Sequence, residues 1–116
     1  MFHQAGDEAL ARGARYAAAG ADGLFVPGAK DPNAVRELPA RGGLPLNVLV
    51  VPGLAPVADL ATLGVARVSA GSGIAQAAAG LALRSTTEFL EAGRLETMLD
   101  PDADYGTLNA LFASSR

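Results

Sequence analysis

The chain has 116 residues, half of them hydrophobic and 18% charged, which gives it fewer than half the units of a closed (β/α)8 barrel, since such a barrel typically needs about 250 residues. A net charge of −3 and a pI near 4.9 leave no basic stripe to track a phosphate backbone, which argues against a nucleic-acid partner. Cysteine is absent, which excludes disulfides and thiolate metal sites and fits a reducing compartment. No basic-then-apolar leader opens the chain, and Pro or Gly breaks every apolar run before membrane-spanning length, so a cytoplasmic protein is expected.

Residues 1–6 carry no strong signal and are expected to be disordered. From Asp7 to Ala19 the run DEALARGARYAAA is rich in helix formers, has acids in its first turn and stops at Gly20. Leu10, Ala14, Ala17 and Ala18 would share one face. Ala21 to Val26 then forms a short apolar run closed by Pro27-Gly28, as expected of a strand buried on both faces. Asp31-Pro32 supplies an N-cap followed by proline at the first helical position, and Ala34, Val35 and Leu38 keep helical spacing up to the breaker cluster Pro39 to Gly43.

Leu46 to Val51 (LNVLVV) is the most strand-like segment, interrupted only by Asn47 and closed by Pro52-Gly53. A helix over Pro56 to Leu63 stops at Gly64, and Val65 to Ala70 follows as a third strand. After Gly71-Ser72-Gly73 comes the longest helix, Ile74 to Ala92, with Ile74, Ala77, Ala78, Leu81, Ala82 and Phe89 on an apolar stripe. A last short helix is expected from Tyr105 to Ala113. Strands joined in turn by helices require crossover connections and a parallel sheet, either part of a barrel or an open doubly wound fold. The chain is thus read as α/β, one domain over 1–116, with βα units over 7–93 and a tail over 94–116.

Four stretches together suggest a family: YAAAGADGLFVPG at Tyr16 to Gly28, LPLNVLVVPG at Leu44 to Gly53, LATLGVARVSAGSG at Leu60 to Gly73, and YGTLNALF at Tyr105 to Phe112. In that order they resemble the C-terminal part of the isocitrate lyase/phosphoenolpyruvate mutase family. The resemblance implies a partial (β/α)8 TIM-type barrel whose three strands are the sixth to eighth. It also implies an activity for complete members: cleaving or forming C–C or P–C bonds beside a carboxylate in 2-oxo or 2-hydroxy acids, with magnesium stabilising an enolate-like intermediate. The family's magnesium-binding acids and its Lys-X-Cys-Gly-His loop belong to the first half of the barrel, and nothing here matches them, so no catalytic or metal-ligating residue is assigned. The chain alone is expected to be inactive and to retain no cofactor.

Within the resemblance, Asn47 matches a position that faces the substrate carboxylates, and its amide can donate two hydrogen bonds to an anion. The plainer alternative is that it caps a loop or bonds buried backbone. Ser69, near the end of the third strand, can reach the same carboxylate or simply pack there. Gly71 and Ser72, with Gly73, offer backbone N–H groups to an anion, or only a tight turn. Pro27-Gly28 and Pro52-Gly53 read as structural turns. Asp100, Asp102 and Asp104 alternate, but the glycine and glutamate of a calcium loop are missing, and His3 has no ligand-spaced partners. The expected partners are a small carboxylate substrate, if another chain completes the barrel, and further copies of the chain meeting through Ile74 to Ala92 and the C-terminal tail.

Overall fold

In the computed structural model of the protein, residues 2–99 and 104–113 are described, the side chains of 2–5 excepted. The chain divides into two compact units, Met1–Gly73 and Ile74–Arg116, where the sequence suggested one domain. The first helix, α1, spans Phe2–Ala18, so residues 2–6 are helical rather than disordered. Gln4 and Ala5 favour helix and Phe2, His3 and Gly6 do not, but extending a nucleated helix is far easier than starting one. The face of α1 that packs also differs from expectation: Ala9, Leu10 and buried Gly13 turn inward, and Ala14, Ala17 and Ala18 are exposed. Gly13 lets the helix approach the sheet, because a Cβ there would sit 3.2 Å from Leu24 Cδ2.

Three short strands follow, Leu24–Val26 (β1), Leu46–Leu49 (β2) and Val65–Ser69 (β3). They form one parallel sheet in the order β1-β2-β3. Between them lie α2 (Pro32–Gly42) and α3 (Val57–Thr62). The start of α2 is the one its sequence specifies: Asp31 Oδ2 accepts a 3.0 Å bond from the Ala34 N–H, and Pro32 opens the helix. Its end is not. The helix runs through Pro39 to Gly42 and is capped by left-handed Gly43. A proline three residues before the end removes one N–H bond to Val35, and packing holds the turn regardless: buried Val35 and Leu38 anchor it, and the Pro39 ring lies against Gly64.

The core is made by the sheet face that meets the helices. Leu24, Leu46 and Val48 from the strands pack with Val35, Leu38, Leu60, Leu63 and Ala29, and Leu46, Leu60, Val35 and Val48 are essentially inaccessible. Each such side chain stabilises the fold by roughly 1.5–3 kcal/mol. Between β2 and β3 the register slips: Leu46 pairs with Val65, but Asn47 pairs with Arg67, leaving Ala66 as an extra residue. The bulge lets Val65 and Val68, three apart, both pack on the core, and it turns Arg67 and Ser69 to the opposite face with Phe25, Asn47 and Leu49.

The second unit holds α4 (Gly73–Ala92), α5 (Glu96–Leu99) and α6 (Tyr105–Ala113), and none of the three has a buried residue. The α4–α5 connection is tied by Glu88, which accepts from the Thr97 N–H (3.3 Å) and pairs with Arg94 (3.3 Å). Asp104 caps α6 by accepting from the Thr107 N–H at 2.7 Å. Asp100 and Asp102 lie outside the described residues.

Candidate functional site

The sheet face turned away from the helices carries Phe25, Asn47, Leu49, Arg67 and Ser69, an arrangement dictated by the period-2 alternation of the strands and the Ala66 bulge. Asn47, the lone polar residue of β2, is half-buried and bonds across to β3: its Nδ2 donates to Ser69 Oγ at 2.9 Å, and the Ser69 hydroxyl lies 3.1 Å from Asn47 Oδ1, to which it can donate. The structure therefore joins the two strand residues singled out from sequence. One N–H of the Asn47 amide remains for a ligand, since that group has two and the hydroxyl takes one.

Ser69 ends β3, and the Gly71-Ser72-Gly73 turn follows. Gly71 has φ +57°, and a Cβ there would lie 3.1 Å from Leu49 Cδ1, so glycine is needed both for the left-handed backbone and for the close approach. The Gly73 N–H bonds the Ala70 carbonyl at 3.0 Å. One of the three amide donors expected to face an anion is thus already used in the turn.

Two cations were not singled out by sequence reasoning. Lys30, the chain's sole lysine, sits after the Pro27-Gly28 turn and donates to the Pro52 carbonyl at 3.2 Å, linking the loops that follow β1 and β2. Its position directly after a strand-ending turn was the available signal. Arg67 stands in register with Asn47 and, with Gly23, Phe25, Pro45 and Ala66, lines an open depression of about 290 Å³ at the N-terminal end of the sheet. Only the bulge reveals which way Arg67 faces.

The donor set of this face is an amide, a hydroxyl and a guanidinium, with no carboxylate. It suits an anion and does not fit magnesium, which is held by oxygen ligands and usually one or two carboxylates. Among the described residues no three His, Cys, Asp or Glu side chains gather to hold a metal. The carboxyls with displaced pKa values lie elsewhere. Glu88 is lowered chiefly by its hydrogen bond to Thr97, and Asp104 by the Thr107 backbone N–H, and both serve helix ends. No helix among the described residues is long and apolar enough to cross a membrane.

Parallel strands joined by helices, with polar side chains on the face away from those helices, are the arrangement of consecutive βα units in a barrel, and the similarity to known proteins assigns them to one. The chain belongs to the isocitrate lyase/phosphoenolpyruvate mutase family: the phosphoenolpyruvate phosphomutase family model matches residues 2–90. A Burkholderia cenocepacia protein described as a lyase/mutase superposes with a TM-score of 0.85 at 35% identity, over 95% of this chain and 40% of its own. A second protein from that organism, described as a phosphonomutase, gives a TM-score of 0.66 at 40% identity, over 79% of this chain and 35% of its own. Two uncharacterized proteins of Mycobacterium tuberculosis, one from each of two strains, are 56% identical over 63 residues, which is 54% of this chain and 24% of theirs. The chain therefore matches well under half the length of these relatives, and its fold is a partial TIM-type barrel.

Proposed function

We propose that this chain supplies strands six to eight of a lyase or mutase barrel, holds a carboxylate of a 2-oxo or 2-hydroxy acid on Asn47 and Ser69, and turns over no substrate alone. The observation that carries the reading is the Asn47–Ser69 hydrogen bond on the sheet face that a barrel would enclose. The Asn47 amide, already aligned by the Ser69 hydroxyl, presents its second N–H to an anion without first having to be ordered, and the hydroxyl joins it by turning its proton from Asn47 Oδ1 to the ligand. Gly71 and Ser72 would border the ligand, and Lys30 adds a positive charge at the loops beyond the strands. In this reading magnesium, which would stabilise the developing oxyanion, is held by residues that precede the matched region in the relatives. The protein acts in the cytoplasm, in keeping with its lack of cysteine.

The test is an assay of the purified chain with magnesium and a panel of 2-oxo and 2-hydroxy acids. No turnover is expected, and robust turnover would overturn the reading. In a barrel completed by a second chain, Asn47→Asp should weaken carboxylate binding by about 10-fold or more, because it replaces a donor with a like charge.

A second reading is favoured by the second unit. Ile74 is 75% exposed, Leu90 72% and Phe112 79%, and large apolar side chains left this open along the helices are candidates for association. In this reading the chain is a noncatalytic module that self-associates through Ile74–Ala92 and the tail helices. Light scattering should then show a dimer or larger, and a monodisperse monomer would count against it.

A further inference from the structure

Arg67 differs from the other residues of its sheet face in being a full charge placed where a barrel would bury it. It lies across from Asn47 on the neighbouring strand, with Phe25, 50% exposed, one strand further on, and no ion pair engages it among the described residues, although Arg12, Arg41 and Arg94 each have an acid partner. Covering this face removes water from the guanidinium, and an unpaired buried charge costs more than the surrounding apolar contacts return. Whatever covers the face must therefore bring an anion to Arg67 or leave it wet. A second copy laid face to face cannot do so, because Phe25, Asn47, Leu49, Arg67 and Ser69 include no acid.

We infer that the occupant of this face is a layer of strands from a different chain segment, carrying an aspartate or glutamate opposite Arg67, and that this pair sets the partner's register. The inference rests on the barrel-completion reading above and adds to it the chemistry of the partner. Arginine suits the role because its planar fork holds a carboxylate in one orientation, and the Ala66 bulge aims it.

The test co-expresses the tagged full chain with the portion of the Burkholderia cenocepacia lyase/mutase-like protein that this chain does not match, and measures the affinity of the purified complex. Arg67→Gln should weaken it at least about 10-fold, and Arg67→Lys, which keeps the charge but loses the planar fork, should fall between that variant and the parent. Because Arg67 is exposed in the chain, melting of either variant alone should match the parent, separating a partner effect from a folding defect. Equal affinity for parent and Arg67→Gln would overturn the inference and leave barrel completion standing. Failure of the parent chain to form any complex would overturn both.

Discussion

The two faces of the three-stranded sheet are built from adjacent residues and have opposite characters. Leu24, Leu46 and Val48 are buried against helices, whereas their sequence neighbours Phe25, Asn47 and Leu49 lie on a face with no fully buried residue. One face already has its covering layer, and folding of the first unit depends on it. The other carries an amide–hydroxyl pair and an unpaired guanidinium, chemistry useful only once a ligand or a further layer arrives. The buried core and the proposed binding groups are thus alternate residues of the same strands.

That contrast can be broken most forcefully from the helix side. Leu46→Ala should cost about 2–5 kcal/mol in urea unfolding, enough to unfold a unit with so small a core. Gly71→Ala, at the boundary between the faces, should cost roughly 1–3 kcal/mol, since it meets both a positive φ and the Leu49 methyl. Asp31→Ala removes the α2 cap and should cost about 1 kcal/mol. Smallest of all should be Phe25→Ser, within about 0.5 kcal/mol for the chain alone. A large loss there would mean that the open face contributes to the fold after all.

Much of this asymmetry is legible in the sequence where local chemistry decides it. Asp31-Pro32 fixes the start of α2, Tyr105 to Ala113 is recovered as α6, and Asn47 stands out because a polar residue interrupts an apolar strand. What escapes is set by contacts distant in sequence. Pro39 reads as a helix breaker until Gly64 is seen beneath its ring. The buried side of α1 is decided by Leu24 meeting Gly13, and Ala14, Ala17 and Ala18 are too small to reveal which side packs. Arg67 escapes because strict alternation from Val65 would place Val68 on its opposite face, and the extra residue at Ala66 appears only in the pairing with β2. Lys30 and Pro52 are 22 residues apart, and nothing local connects them. The division after Gly73 is equally silent, since α4 has an apolar stripe whether or not it is buried.

The measurement that most directly tests the central claim uses the chain's lack of cysteine. Phe25→Cys places a single thiol on the open face, and Val48→Cys places one beneath the helices. In the chain alone, Phe25→Cys should react with a maleimide nearly as fast as a free thiol and Val48→Cys far more slowly, and adding a partner that completes the barrel should protect position 25 as well. Slow labelling of Phe25→Cys in the isolated monomer would contradict the account, because the face would then be covered without a partner.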